Sequence, residues 1–246
     1  MSREVGIETV SVINDLEANA FGVHTLAPED FASLSDGNPN PRGNTAVISA
    51  GTGLGEAGLF FDGKSHHPFA CEGGHADFAP IDDLQTEMLT WMRKQLSHVS
   101  WERIVSGGGI FHIYRFLRET GRGEEPAWLT EELTKGDPTI PVVQAALSGK
   151  SAMADQALDI FIACYGAEAG NLALKLMATG GVFLGGGIAP RILPKLQKPS
   201  FMRAFQAKGR MSDLMHTIPV KVILNSDAAL RGAARAAAMA LAAALL

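Results

Sequence analysis

Cysteine is scarce in this chain, which has only Cys71 and Cys164 among its 246 residues. So few cysteines exclude a disulfide scaffold, and the two form no C-x-x-C pair. Free thiols are typical of a reducing compartment, so we expect a cytoplasmic protein. His66, His67 and His75 lie near Cys71, but a structural zinc site takes about four ligands, and one thiolate is few for it. We therefore predict no metal site here.

Positive charge and long apolar runs are lacking as well. Lys and Arg number 21 against 26 Asp and Glu, a formal net charge of −5. Nucleic-acid binders carry a basic face, and neither that face nor a helix-turn-helix segment is found. Residues 1–15 have no apolar stretch of signal-peptide length, and residues 233–246, interrupted by Arg235, are shorter than a membrane span. We expect no nucleic-acid partner and no membrane.

Apolar residues are abundant, at 46% of the chain, which is enough for a large buried core. β-Branched and apolar runs predict strands, and apolar residues recurring every three or four positions predict helices. Strands are predicted at residues 9–13, 45–50, 56–61, 182–184 and 219–224, and the longest helix at residues 151–177. Such a mixture indicates an α/β or α+β protein.

Turn-forming residues set the expected boundaries. We predict a loop over residues 30–44 and a hairpin turn at Asp62-Gly63. We also predict that the SGGG sequence Ser106–Gly109 ends a helix of residues 100–105, and that Gly180-Gly181 ends the long helix.

One stretch, GLFFDGKS at Gly58–Ser65, satisfies the P-loop pattern G-x-x-x-x-G-K-S. A P-loop wraps phosphate with backbone N–H groups and then opens a helix. Here residues 59–62 are typical of the end of a strand, and the following His66-His67-Pro68 is a poor helix start. We predict a strand and a turn instead of a P-loop.

Two other glycine-rich loops could face ligands. GTGLG at Gly51–Gly55 lies between predicted strands, where several backbone N–H groups and the Thr52 hydroxyl could hold a phosphate oxygen. GGGIAP at Gly185–Pro190 follows a strand, and its backbone could approach a flat ligand such as adenine closely. A plain hairpin and a plain strand-to-helix turn are the alternatives.

Isolated polar residues also have two interpretations each. Asp15 could be a general base or the N-cap of a helix. Glu72 and His75 could face a sugar from one loop, or that loop could simply be solvated. Glu102 by itself is typical of a surface charge.

Taken in order, these pieces resemble the glucokinases of bacteria. The matching stretches are INDLEANAFG (13–22), GTGLGEAGL (51–59), EGGHADFAP (72–80), HVSWERIVSGGGI (98–110), GNLALKL (170–176), GGVFLGGGIAPR (180–191) and FQAKGRM (205–211). One glycine loop would be weak evidence, but the ordered set with its spacing is specific and covers nearly the whole chain. The cysteine-rich zinc motif of the related ROK sugar kinases and repressors is absent from the sequence.

The resemblance implies the hexokinase-like, ribonuclease-H-like fold, with two domains around a cleft. It implies transfer of the ATP γ-phosphoryl group to the 6-hydroxyl of glucose, with Mg²⁺, in a cytoplasmic homodimer. Asp15 matches the catalytic base. The residues that match sugar ligands are Asn14, Asp15, Glu72, His75 and Glu102; those that match the nucleotide side are Gly51, Thr52, Gly53, Gly55, Gly185, Gly186 and Gly187.

The chain departs from the family pattern at its start. Members of the family carry a DxGGT-type phosphate loop before the catalytic aspartate, whereas only 14 residues precede Asp15 here. We therefore expect a small-domain remnant at residues 1–26, a large sugar-binding domain at 27–225 and a returning helix at 226–246. Weaker sugar binding and slow phosphoryl transfer are expected. A catalytically silent sugar-binding or regulatory module is the alternative.

Overall fold

A single six-stranded sheet organises the protein, whose computed structural model describes residues 10–244. The strands are β1 (Phe31–Ser35), β2 (Thr45–Ala50), β3 (Leu54–Phe61), β4 (His66–Cys71), β5 (Gly181–Gly185) and β6 (Val220–Ile223). Their order across the sheet is β1-β6-β5-β2-β3-β4. β2, β5 and β6 run parallel, and the other three strands are antiparallel to their neighbours.

Helices cover both faces of this sheet. They are α1 (Asp15–Val23), α2 (Asp83–Met92), α3 (Gly107–Glu119), α4 (Ala127–Glu132), α5 (Thr139–Leu147), α6 (Ala152–Leu176), α7 (Ile188–Arg191), α8 (Leu193–Leu196), α9 (Pro199–Gln206), α10 (Ser212–Thr217) and α11 (Ala228–Ala244). The predicted α/β class is confirmed.

The central strand β2 shows why two helical layers form. All six of its residues are buried, so both faces of the strand need cover. Ala46, Ile48 and Ala50 belong to the larger apolar core, which also contains residues of α3, α5, α6 and α9. Val47 points the other way, into a smaller core that α1 shares with the sheet. The strand's period of two therefore places one helical layer on each face.

The long helix α6 forms the centre of the larger core. The Ser151 hydroxyl caps it by accepting a hydrogen bond from the Ala154 N–H at 3.2 Å. It is long and apolar enough to cross a membrane, but 72% of its most apolar 18-residue stretch is buried against protein. The prediction that Gly180-Gly181 ends this helix is wrong, because Met177 already adopts a left-handed conformation with φ 48°.

On the opposite face, α1 and α11 pack closely together. The contact is close because glycine lies on both helices, Gly22 on α1 and Gly232 on α11. A Cβ atom at Gly232 would overlap the carbonyl oxygen of Ala18 and lie 2.6 Å from the nitrogen of Gly22. The crossing therefore tolerates no side chain at this point, and it fixes where α1 begins.

Three local predictions are corrected by the structure. Residues 10–13 form no strand, since among the described residues no strand pairs with them; Thr9 lies outside the described part. The loop predicted at 30–44 contains β1, which is ordered by long-range pairing of Phe31 with Ile223. The SGGG sequence begins α3 instead of ending a helix, because the Ser106 hydroxyl accepts the Gly109 N–H at 3.1 Å as an N-cap.

The predicted hairpin turn is confirmed, and so is the prediction that residues 58–65 form a strand and a turn instead of a P-loop. β3 continues to Phe61, the chain turns over residues 62–65, and β4 begins at His66. The Asp62 side chain stabilises this turn by accepting the N–H groups of Lys64 and Ser65 at 2.7 and 2.8 Å. Residues 58–65 are thus a strand and a turn, with no helix after them.

Candidate active site

A cleft of about 470 Å³ opens at the carboxyl ends of the parallel strands β2 and β5. Ligands of α/β proteins commonly bind at this edge of the sheet. All five predicted sugar ligands line the cleft, as do five of the predicted nucleotide residues. The sugar ligands are Asn14, Asp15, Glu72, His75 and Glu102, and the nucleotide residues are Gly51, Thr52, Gly53, Gly55 and Gly186. The structure therefore brings together residues that are as far apart as 172 positions in sequence (Asn14 and Gly186).

Asn14 and Asp15 enter the cleft from the start of α1. The N-cap of this helix is Asn14 and not Asp15: its Oδ1 accepts the N–H groups of Leu16 and Glu17 at 2.8 and 3.3 Å. Capping uses the oxygen of the Asn14 amide and leaves its nitrogen as the donor that can face a ligand. Asp15 is the first helical residue and its carboxylate is exposed at the helix N-terminus, where negative charge is favoured.

Glu72 and His75 come from the loop after β4. Gly73–His75 forms one turn of 3₁₀-helix, which places the Glu72 Oε2 and His75 Nε2 atoms 3.7 Å apart. Both side chains are exposed, so they are free to bind a polar ligand. Gly74 is required in this turn, since a Cβ there would overlap the carbonyl oxygen of Leu54.

Glu102 connects the loop after β2 with the segment before α3. Its Oε2 accepts the Leu54 N–H at 3.1 Å, and a Cβ at Gly53 would lie 2.5 Å from the same oxygen. Glu102 is half-buried, and its position depends on the hydrogen bond from the Trp101 N–H to the Ala76 carbonyl at 3.0 Å. The interpretation of Glu102 as a surface charge is therefore wrong for this fold.

The glycine hairpin Gly51–Gly53 forms the wall of the cleft. It is closed by a hydrogen bond from the Gly51 N–H to the Gly53 carbonyl at 2.9 Å. The Gly107 N–H then donates to the Gly51 carbonyl at 2.8 Å, which ties the hairpin to the start of α3. Because glycine carries no side chain, a ligand can approach the backbone of this hairpin closely.

A second cleft, of about 630 Å³, lies on the other side of this hairpin. Gly51 and Thr52 line both clefts. The second cleft is also lined by Gly187, by backbone at the start of α3 and by side chains that the sequence did not indicate, namely Asp137, Thr139, Ile140, Val143, Gln144, Leu147, Ile188, Arg191 and Ile192. It thus combines exposed glycine backbone with an apolar wall.

Gly185 is the predicted site residue that lies in neither cleft. It is buried as the last residue of β5, paired with Ser49, and a Cβ there would lie 2.6 Å from the Ser49 hydroxyl. The next residue, Gly186, has φ 79° and turns the chain toward α7. Gly185 therefore supports the wall of the first cleft from behind.

Sequence reasoning missed Glu56 among the residues lining the first cleft. Glu56 lies on β3 and is only 1% exposed. Burial, together with the nearby carboxylate of Glu168, raises the pKa of Glu56 to about 8. Its place after GTGLG was visible in the sequence, but nothing there indicated that its carboxyl group would be buried.

Comparison with known proteins identifies the family. A glucokinase family model matches residues 1–240. The chain belongs to the glucokinase family. It is 44% identical to the glucokinase of Synechocystis sp. over 252 residues, which cover 97% of this chain and 71% of that relative. Membership in the glucokinase family makes this chain a sugar phosphotransferase.

Solved structures of glucokinases share this fold. The glucokinase of an Antarctic psychrotroph superposes with a TM-score of 0.82 at 30% identity, covering 95% of this chain and 70% of that one. A ROK family glucokinase from Streptomyces griseus, solved with glucose and AMPPNP, gives a TM-score of 0.61 at 20% identity, covering 94% and 69%. The predicted hexokinase-like sugar kinase fold is confirmed.

Proposed function

We propose that this glucokinase binds glucose in the first cleft and ATP in the second, and that the phosphoryl group passes between them at the glycine hairpin. The observation that carries this proposal is that Gly51 and Thr52 line both clefts. A donor and an acceptor on either side of that hairpin would meet where backbone N–H groups are uncovered. The Streptomyces griseus enzyme, which shares the fold and was solved in complex with glucose and AMPPNP, supports a sugar site and a nucleotide site in this fold.

The sugar side of the proposal depends on hydrogen bonding. The Asn14 amide nitrogen and the His75 ring can donate, while Glu72 and Glu102 can accept from sugar hydroxyls. Glucose is neutral and carries many hydroxyl groups, so a site built from such groups leaves them unpaired when an analogue lacks a hydroxyl. That cost is the proposed basis of selectivity for glucose.

Asp15 is the proposed catalytic residue. A sugar hydroxyl is a poor nucleophile until a positioned carboxylate accepts its proton. Asp15 lies at the mouth of the cleft with one oxygen held by the Leu16 N–H at 2.9 Å, which leaves its second oxygen for the 6-hydroxyl of glucose. The hydroxyl oxygen would then attack the γ-phosphorus of ATP while its proton passes to Asp15, and the bond from that phosphorus to the bridging oxygen would break to release ADP.

The second cleft fits a nucleotide. A Cβ at Gly51 or Gly187 would meet no atom within 4 Å, so both glycines border open space that a side chain would fill. The apolar side chains of Ile140, Val143 and Ile188 offer a surface for a flat base. When bound there, ATP would supply the γ-phosphoryl group that is transferred.

Mg²⁺ enters the proposal with the nucleotide. Within residues 10–244, no group of three or more His, Cys, Asp or Glu side chains is arranged to hold a metal ion. Mg²⁺ in such enzymes is held largely by substrate phosphates, water and one or two carboxylates. We therefore propose that the ion would be bound through the phosphates of ATP, beside the Thr52 hydroxyl.

The proposal also covers the cellular compartment, the domain division and the oligomeric state. A cytoplasmic setting is supported by the two free thiols, Cys71 and Cys164. The division of the chain at 26/27 and 225/226 is supported by the close packing of α1 against α11. A homodimer is proposed from the family resemblance alone.

The experiment that tests the proposal is glucose-dependent release of ADP by this chain with Mg-ATP, beside Asp15→Asn. Because positioned general bases contribute roughly 10²–10⁴-fold, turnover should fall by that factor while glucose still raises the melting temperature. Asp213→Asn, an exposed carboxylate on α10, is the matched control and should retain parental turnover. Equal turnover in Asp15→Asn and the parent would remove Asp15 from the mechanism. Glucose binding without turnover in the parent would support the silent sugar-binding module instead.

A further inference from the structure

Glu56 is a buried acid whose carboxyl group lies beside a second carboxyl group, that of Glu168. Its two oxygens are inaccessible to solvent, and neither accepts a hydrogen bond from a donor among the described residues. They are the only buried side-chain polar atoms in that part of the chain left in this condition. A buried polar group without a partner is costly, so such a group calls for an explanation.

The position of Glu56 connects it with the sugar loop. On β3 it is paired with Cys71 of β4, which is the residue before Glu72. A Cβ at Gly73 would overlap the Glu56 Oε2 atom and lie 2.9 Å from its Cδ. The Glu56 carboxyl group therefore packs directly beneath the turn that carries Glu72 and His75.

On its other side Glu56 faces the core helix α6, where Glu168 is fully buried. The nearby donors and cations are used by Glu168: Asn171 donates to it at 2.8 Å and Lys175 contacts it at 3.5 Å. Lys208 donates instead to the Ala167 carbonyl at 2.8 Å and to the Asn171 Oδ1 at 2.7 Å. The charge of Glu168 is thus balanced by a hydrogen-bond donor and a cation, whereas the Glu56 carboxyl group accepts no hydrogen bond.

This arrangement decides which carboxyl group holds a proton. Burial raises the pKa of both, but Asn171, Lys175 and Lys208 oppose the rise for Glu168. For Glu56, burial, the Glu168 charge and a hydrogen bond between the two carboxyl groups raise the pKa to about 8, and only Lys175 opposes them. The other titratable groups nearby are the thiol of Cys71, which lies across the ladder, and the buried hydroxyl of Tyr165, which donates to a backbone carbonyl at 3.2 Å. Glu56 is therefore a neutral acid at neutral pH.

We propose that Glu56 is a positioning residue for glucose: its neutral carboxyl group fixes the turn at Gly73–His75, and its ionisation displaces that turn and weakens sugar binding. This inference rests on the proposed role of the first cleft as the glucose site. An ionised Glu56 would place a second negative charge beside Glu168 in the core, and the carboxylate could reach water only by moving the turn above it. Glu72 and His75 would move with that turn.

The test is the dissociation constant for glucose, measured calorimetrically from about pH 6.5 to about pH 9.5. If only the neutral form is competent, affinity falls with the neutral fraction, so binding should be about tenfold weaker one pH unit above the Glu56 pKa. Glu56→Gln keeps the size and neutrality of the acid, and it should bind glucose with no alkaline loss. Cys71→Ser removes the thiol that lies across the ladder from Glu56 and should retain the loss.

A second variant keeps the proposal testable if Glu56→Gln fails to fold. Glu168→Gln removes the neighbouring charge, which lowers the Glu56 pKa, so the loss of affinity should begin at a lower pH than in the parent. An alkaline loss shared by the parent and Glu56→Gln, or no loss in the parent, would overturn the positioning role while leaving the sugar site intact. Failure of the parent to bind glucose at any pH would overturn the assignment of the cleft itself.

Discussion

Substituting Gly232 by alanine tests how the crossing of α1 and α11 controls the position of Asp15, the proposed catalytic residue. In an exposed helix interior, alanine is more favourable than glycine by about 1 kcal/mol, so propensity alone predicts a more stable protein. The structure predicts the opposite. The new Cβ would overlap the Ala18 carbonyl oxygen and lie 2.8 Å from the carbonyl carbon, both on the backbone of α1.

The size of the effect follows from these distances. Carbon atoms pack best about 3.5–4.0 Å apart, so the two helices must separate by about 1 Å or more. Overpacking of this kind costs about 1–3 kcal/mol, which exceeds the gain in propensity. For a chain of this length the melting temperature should fall by about 2–4 °C per kcal/mol. Displacing α1 also moves Asp15, and a shift of about 1 Å at a reacting group can cost about 10²-fold in turnover.

The assay is thermal unfolding followed by circular dichroism, with ADP release measured on the same samples. Gly108→Ala is the control for unfolding, because Gly108 also lies in a helix and a Cβ there would meet only the Ser106 hydroxyl oxygen, at 4.0 Å. We expect Gly108→Ala to unfold at or above the parental temperature and Gly232→Ala below it. An increase in melting temperature for Gly232→Ala would refute the argument from the helix crossing.

Three further predictions concern single side chains. Glu102→Gln removes a charged acceptor from the proposed sugar site and from the Leu54 N–H. Hydrogen bonds to charged groups contribute about 1.5–3 kcal/mol, so calorimetry should show glucose binding weaker by about 10- to 100-fold. Unchanged affinity would exclude Glu102 as a ligand. Tyr165→Phe leaves the buried Ile48 carbonyl of β2 without its side-chain donor. The free energy of unfolding should fall by about 1–3 kcal/mol in urea titrations. A smaller loss would mean that water replaces the hydroxyl. His24 is exposed as a residue, but partial desolvation of its ring and the neighbouring His66 ring, 4.6 Å away between centroids, lower its pKa to about 4. Solvent screening keeps the associated stability small; it is complete above the ordinary pKa of 6.5 and is lost as the pH falls toward 4. His24→Asn should flatten that limb in melting curves, and an unchanged limb would contradict the assignment.

The larger elements and the residues of the cleft could be predicted because their signals are local or belong to an ordered family pattern. The sequence of β2 is that of an apolar strand, and ten of the residues that match the family line one cleft. The failures have physical causes. Residues 10–13 are rich in β-branched side chains but have no partner strand in the described part, and β1 depends on β6, 192 positions away (Phe31 to Ile223).

Finer features could not be read from the sequence because they depend on packing between distant segments. The second cleft needs side chains of α5 and α7, which are distant in sequence, to line one cavity beside the glycine hairpin. Glu56 fits the alternation of β3 like any strand residue, and only the folded chain shows that Asn171 and Lys175 bond to Glu168. The end of α6 at Met177 is a further case, since the left-handed conformation usually falls to glycine.

The hydrogen bond from the Leu54 N–H to Glu102 would couple the proposed sugar and nucleotide sites. One carboxylate both faces the proposed sugar site and holds the hairpin that also lines the proposed nucleotide site. A sugar that fixed Glu102 would also fix Gly51–Gly53, so part of the entropic cost of ordering that hairpin would be met before the nucleotide binds. Thermodynamic linkage would make the effect reciprocal: glucose would change the affinity for ATP by the same factor by which ATP would change the affinity for glucose.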